Sequence, residues 1–381
     1  MKALKVRIYP NNEQVDFLNQ QFGAVRLVYN KFLKIISSQY KRHNKSLSAN
    51  KDLKKLLPIA KKSRKYSWLS NYDSISLQQS CINFHKAYQN FFKQQKLKKK
   101  GVKISNGNSY PVYKKKHRVQ SSYHCTNIKV GDNWIKIPKI RSKIKAKIHR
   151  NINQDISSIT ITRNKTGKHF ASIVFKEIGS NCKKITDISE NNVIGIDMGL
   201  SHLLITSNRD KIDNPRFLKL ATRNIKTKQK KLSRTAKAHE KLSNKRNDFQ
   251  HKLSTTIVDD NQAIIVETLK VKNMLKNKKL AKHISDASWS SLIQKLEYKA
   301  ANVGKHLIKI DQWYPSSKTC SNCSYKIEKL DLQIRKWSCP ECDVEHDRDI
   351  NASLNIKNKG IEILKAEGMS VSAVGVLRKS A

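Results

Sequence analysis

The sequence predicts a mixed α+β protein in two parts: a small β-barrel interrupted by helices, then a second set of strands and helices carrying a cysteine-rich insertion. Three observations carry that expectation. Apolar and basic residues alternate with period two at the N-terminus and again between 134 and 176, which marks strands. Apolar residues recur every three or four positions near 11–33 and 74–92, which marks helices. Two apolar runs, 193–197 and 263–267, each end on an acid, ahead of paired Cys-x-x-Cys turns.

The first ten residues, Met1 to Pro10, read as a strand and lack the continuous apolar core of a secretion signal. Asn11 or Asn12 then caps a helix whose apolar face is Val15, Leu18, Phe22, Val25, Val28, Tyr29, Phe32 and Leu33. A Lys-rich stretch with weaker helical character precedes a second helix, from Ser74 to about Phe92. Its buried side is expected from Ile75, Cys81, Ile82, His85, Tyr88, Phe91 and Phe92. From 93 to 118 the backbone is expected to leave helix, carrying the lysines at 98–100, Tyr110 and Tyr113, then Lys114, Lys115, Lys116, His117 and Arg118. A lysine run alone is usually a solvated loop; beside aromatics in so basic a chain, phosphate contact by Lys114, Lys115, Lys116 and Arg118 is the better expectation. Further on, Ile144, Ala146 and Ile148 alternate with Lys143, Lys145 and Lys147, so one pleat face is apolar and the other is a row of charge. Asn164 to Gly167 joins two more strands as a hairpin.

Charge narrows the partner. With 77 Lys and Arg against 29 Asp and Glu, the net charge is +48 over 381 residues. A folded surface so charged is relieved by a polyanion, through phosphate neutralisation and counterion release, which points to nucleic acid. The strongly basic helix expected from Leu220 to His251 fits a nucleic-acid groove. No apolar run of 18 residues occurs, so no membrane span is expected, and a reducing cytoplasmic setting follows.

Cys320, Cys323, Cys339 and Cys342 have the spacing by which two knuckles bind one structural zinc, with Trp337 placed to cover it. A redox pair or two disulfides fit less well, because each turn carries Ser, Asn or Pro and no secretion signal precedes them. Cys81, Cys125 and Cys182 read as scattered, incidental residues. Asp197 and Glu267 end apolar strands, where an acid needs a partner or else serves as a strand-end surface charge. Asp349 opens an amphipathic helix and could be its N-cap. Together the three acids offer what a two-Mg2+ phosphodiesterase requires.

Gly195-Ile196-Asp197-Met198-Gly199, Val266-Glu267-Thr268-Leu269, the run from Tyr314 to Cys320, and the run from Asp347 to Ala352 resemble the TnpB (OrfB) family of transposon-encoded proteins. The resemblance extends from the segment 22–30 to the C-terminal motifs and covers nearly the whole chain. It implies a wedge β-barrel with a helical recognition insertion (residues 1–190, the insertion at about 11–95). A RuvC-like domain of RNase H fold (191–381) would follow, with a zinc ribbon inserted at about 314–345. It implies an RNA-guided DNA endonuclease with Asp197, Glu267 and Asp349 as catalytic, Mg2+-binding residues. Its partners would be a guide RNA from the transposon end and double-stranded target DNA next to a short transposon-adjacent motif. The protein would be monomeric in the ribonucleoprotein and nucleoid-associated in a prokaryotic cytoplasm. The helix after Lys231 looks shorter than in typical members. The rival reading is a guide-directed DNA-binding protein that does not cut.

Overall fold

In the computed structural model, alternation at the N-terminus becomes β1 (Lys2–Tyr9), which buries Leu4, Val6 and Ile8 and exposes Lys5 and Tyr9. The structure describes residues 2–44, 52–102, 110–116, 121–152, 154–176, 183–228, 232–331 and 333–372; Arg118 and Cys182 lie outside them. The chain divides into two units, Met1–Ser180 and Asn181–Ala381.

In the first unit, α1 (Asn12–His43) begins at a capping box: the Gln14 backbone N–H donates to the Asn11 side chain, and the Asn11 N–H to the Gln14 side chain. The helix α2 (Asp52–Lys62) follows, and then α3 (Ser74–Lys99), capped by Asp73. Here the expected buried face needs correction. Leu77 and Phe84 are fully enclosed with Cys81 and Tyr88, whereas Ile75 and Phe92 are 40% and 45% exposed. Positions 77, 81, 84 and 88 form one helical stripe, and 75 and 92 fall off it. The helix also continues through Lys98 and Lys99, whose charges suit its C-terminal end.

The remaining strands of this unit are β2 (Ser121–Cys125), β3 (Lys129–Val130), β4 (Trp134–Lys136), β5 (Ile144–Lys147), β6 (Ile156–Arg163) and β7 (His169–Phe175). They join β1 in one antiparallel sheet of order β2-β6-β7-β1-β5-β4-β3. The sheet is a curled half-barrel rather than a closed barrel. The β6–β7 hairpin turns at Gly167, whose φ of 83° is open only to a residue without Cβ strain. Cys81 and Cys125 are buried in this core, as small apolar groups.

The second unit contains β8 (Asp187–Ser189), β9 (Val193–Asp197), β10 (His202–Thr206), β11 (Lys211–Asp213), α4 (Phe217–Lys228), α5 (Leu232–Asp260) and β12 (Ala263–Glu267). Then come α6 (Val271–Met274), α7 (Ala281–Ala287), α8 (Trp289–Asn302), β13 (His306–Ile310), β14 (Lys336–Ser338), β15 (Glu345–Asp347), α9 (Arg348–Ala366) and β16 (Ser370–Ser372). The single basic helix expected over 220–251 is two helices, α4 and α5, which bury Ile225 and Leu242 and pack Phe217 against Phe249.

The main sheet has order β11-β10-β9-β12-β13, with β9, β12 and β13 parallel and the other two antiparallel. Both faces are covered, which is why its strands read as near-continuous apolar runs. Val193, Ala263 and Ile265 pack with Ile356, Ile361 and Leu364 of α9. Ile194, Ile196, Ile264 and Val266 pack on the other face with Trp289, Leu292 and Leu296 of α8. Among the described residues no helix is long and apolar enough to cross a membrane.

Candidate active site and metal centre

Pairing of β9 with β12, Val193 opposite Ala263 through Ile196 opposite Val266, brings Asp197 and Glu267 to the C-terminal ends of adjacent parallel strands. The first turn of α9, packed across β9, supplies Asp349. All three line one cleft of ≈ 440 Å³, together with His202, Ser316, Arg335 and Arg348. The Ser316 hydroxyl donates to Glu267 Oε1 at 2.8 Å, fixing that carboxylate. Arg335 Nη1 lies 3.3 Å from each oxygen of Asp349. Burial, and then the carboxylates of Glu267 and Asp349, raise the pKa of Asp197 to about 7. An acid whose ionisation is opposed by burial and by two neighbouring carboxylates gains from a cation, and oxygen-only donors suit Mg2+.

Asp349 is not the cap of its helix. The carboxylate of Asp347 accepts from the backbone N–H groups of Asp349 and Ile350, at 3.1 and 3.2 Å. Asp347 also holds Lys211 at 2.6 Å, and Lys211 and the capped amides lower its pKa against the opposing effect of burial. With Asp347 as cap, the Asp349 side chain is left to face the cleft. Sequence reading missed Asp347, Ser316 and Arg335. Only the two-residue spacing of the aspartates hinted at a division of labour.

The four cysteines Cys320, Cys323, Cys339 and Cys342 do meet: their sulfurs all lie within 4.8 Å of one another. A tetrahedron of Zn–S bonds of about 2.3 Å has S···S edges of about 3.8 Å. Cys320–Cys342 and Cys323–Cys339 are separated by 3.7 and 3.6 Å. Two equivalent knuckles build the site. In each, the backbone N–H of the residue four positions after the first cysteine bonds back to that cysteine's carbonyl, Ser324 to Cys320 and Asp343 to Cys339, both in the left-handed region. His346 Nε2 is 3.0 Å from Cys320 Sγ, and the Trp337 ring lies against that imidazole at a 42° tilt while packing with Cys320 and Cys339. The Val344 backbone N–H, and then the Asn322 amide, hold the Cys342 thiol down at about 7, toward the thiolate a metal needs. The donor set fits zinc. Asn351 and Asn355 of α9 donate to the carbonyl of Thr319, at 2.7 and 2.6 Å, so the first knuckle is tied to the helix that carries Asp349.

The basic residues separate into two kinds. Lys114 is exposed like its neighbours, but its ammonium sits 4.0 Å over the Tyr29 ring, where partial desolvation lowers its pKa, and its backbone is held at both ends by Asn30. Tyr110 packs edge-on against Tyr88 and Phe91 and shares a hydrogen bond with Ser37, so it is occupied; Tyr113 is 52% exposed. Lys115 and Lys116 face solvent. Lys143 covers Trp134 at 4.2 Å, while Lys145 and Lys147 point outward opposite Tyr9 and Arg7 of β1.

Three family models match the chain: "Helix-turn-helix domain" at 1–45, "Probable transposase" at 180–278 and "Cas12f1-like, TNB domain" at 289–356. The first of these falls on β1 and one uninterrupted helix. A Streptomyces pristinaespiralis protein named "Putative RNA-guided DNA endonuclease" is 32% identical over 98% of this chain and 91% of its own length. The like-named InsQ of Escherichia coli is 22% identical over 96% of this chain and 93% of its own. Among solved structures, a chain of a Cas12f1-sgRNA-target DNA complex aligns with 94% of this chain and 99% of its own, at a TM-score of 0.38 and 14% identity.

Proposed function

Since the chain belongs to the TnpB (OrfB) family of RNA-guided DNA endonucleases, we propose that it is itself a transposon-encoded endonuclease that cuts guide-matched DNA by metal-dependent phosphodiester hydrolysis. One observation carries the reading: Asp197, Glu267 and Asp349, from two strands and a helix, open into a single cleft. The order β11-β10-β9-β12-β13, with acids ending β9 and β12, supports a RuvC-like unit of RNase H type, and the four-cysteine group between β13 and α9 supports a zinc ribbon inserted in it. We assign nucleic-acid binding to the first unit, as wedge and recognition region, and cutting to the second. Guide RNA and double-stranded DNA are the partners, and the ribonucleoprotein contains one copy of the chain.

Asp197, Glu267 and Asp349 would hold Mg2+, as the pair of ions that a two-metal phosphodiesterase uses. When bound, the ions activate water and stabilise the leaving oxygen. The chain's own groups do the rest. Ser316 fixes the orientation of Glu267, and Asp347 keeps the Asp349 carboxylate off the helix amides. Arg335 and Arg348 line the cleft and meet the charge of the scissile phosphate.

The protein, assembled with the RNA that copurifies with it, should nick or linearise a plasmid matching that RNA when Mg2+ is added. Asp197→Ala, Glu267→Ala and Asp349→Ala should each abolish cutting while retaining guide and target binding. Wild-type protein that binds the matched plasmid without cutting it would establish the non-cleaving alternative.

A further inference from the structure

We propose that Trp313 is a stacking platform for a nucleobase of single-stranded DNA beside the carboxylate cleft; this rests on the nuclease reading above. The residue is 80% exposed. Tryptophan is highly buried on average, and its large ring gains much from a partner, so one left in water is unusual. The other four tryptophans have one: Trp289 and Trp337 are buried, Trp68 packs on Tyr72, and Trp134 carries Lys143. Among the described residues Trp313 has neither a ring nor a cation contact.

A fluid loop does not account for that exposure. The Trp313 backbone N–H donates to the Asp311 carboxylate at 2.7 Å, and the Tyr314 N–H to the Asp311 carbonyl. Three residues on, Ser316 is 5% exposed; its carbonyl accepts from Asn355 at 2.8 Å while its hydroxyl holds Glu267. The turn is therefore fixed at one end to β13 and at the other to α9, and it displays an unpaired aromatic ring within about 11 Å of chain from a cleft residue. Every base has a face on which an indole can stack, so such a ring serves a nuclease that must accept any guide-specified sequence. Hydrogen-bonding groups there would read the base and restrict the target. Trp313 is thus a positioning residue: it touches the strand and leaves the reacting phosphate to the acids.

The test uses the full chain with a single-stranded thymidine oligonucleotide in Mg2+-free buffer, and the ribonucleoprotein with its matched plasmid. Trp313→Ala should weaken oligonucleotide binding by about 5- to 150-fold, the range for one lost stack, without changing the slope of log affinity against log salt. Trp313→Phe should restore most of the loss. In cleavage, the alanine variant should raise KM for target more than it lowers kcat. A bromodeoxyuridine-substituted oligonucleotide should photocrosslink to Trp313. Unchanged affinity, a crosslink confined to other residues, or equal losses in the Phe and Ala variants would overturn the proposal. If wild-type ribonucleoprotein cuts nothing, the nuclease reading fails instead, and the oligonucleotide arms still decide whether Trp313 stacks.

Discussion

Gly195 of β9 is in backbone contact with Ser353 of α9: a Cβ on Gly195 would overlap the Ser353 carbonyl oxygen and lie 2.5 Å from the Lys357 backbone nitrogen. The approach holds α9 against the sheet two residues before Asp197 and four residues after Asp349, so this contact sets the spacing of two acids. Gly195→Ala should force the helix outward. A stability loss of about 1–3 kcal/mol is expected from such overpacking. Cleavage should fall by at least roughly tenfold, the cost of a displacement on the order of 1 Å at a reacting centre. Zinc content should match that of the wild type, because each knuckle is closed by its own backbone turn, even though α9 bonds to the first of them. Metal analysis beside a plasmid assay checks both; full activity in the alanine variant would detach α9 packing from catalysis.

Asp347 and Asp349, two residues apart, should fail differently. Asp347→Ala removes a helix cap and an ion pair with Lys211, so thermal stability should drop by about 1 kcal/mol, and cleavage should fall only as far as Asp349 swings toward the vacated amides. Asp347→Asn, which still caps, should recover most of both. Asp349→Asn should leave stability nearly unchanged and still abolish cutting. Denaturant midpoints and single-turnover rates for the three variants separate the roles.

Asp197 should destabilise the metal-free protein. Its folded value of about 7 stands above the ordinary 3.8, so the native state holds the extra proton; that stability is complete below about pH 3.8 and is lost as pH rises through about 7. The loss is on the order of 4 kcal/mol at alkaline pH. Asp197→Asn, uncharged, should therefore be the more stable protein without Mg2+, and its advantage should widen by about 1 kcal/mol between roughly pH 6 and 8. Added Mg2+ should narrow the gap, since it binds only the wild-type set tightly. Urea midpoints in zinc-replete buffer measure this. An advantage that shrinks with rising pH would mean that Asp197 is stabilised as an anion by groups other than a metal.

The cysteine pairs and the two strand-terminal acids were legible because their chemistry depends on short spacings: Cys320 to Cys323 makes a knuckle wherever it occurs, and an acid after Ile264-Ile265-Val266 has to surface at the strand's end. The alternation at 143–148 was legible for the same reason. Roles decided by a distant partner were not. Nothing local distinguishes Asp347 from Asp349 until the helix amides choose one of them, and Ser316 acquires a role only once β13 delivers it to Glu267, 49 positions earlier. Lys114 looked like its two neighbours, and only the fold lays it on Tyr29. The face of α3 was misjudged because apolar residues surround that helix, and packing against α1 selects Leu77 and Phe84 from among them.

That difference among lysines yields a measurable ordering. A phosphate contact contributes about 0.7 to the slope of log affinity against log salt for a single strand, but only where the ammonium is free to reach a phosphate and displace the cation condensed on it. Lys145 and Lys147 project from β5 beside Arg7 and Tyr9, on the face opposite the buried Ile144 and Ala146. Lys145→Gln with Lys147→Gln should lower the slope for guide RNA by about 1.4 while leaving the half-barrel intact, since neither side chain contributes to its core. Lys114→Gln should change the slope far less, because its ammonium already lies on the Tyr29 ring; its main effect should be on stability, through the lost cation–π contact. Lys115→Gln with Lys116→Gln provides the comparison, as both are exposed in the segment that Lys114 anchors. Filter binding across a salt series, with circular dichroism on each variant, gives the ordering. A slope that falls for Lys114→Gln and not for the β5 pair would move the RNA path off the sheet and onto the segment beside α1.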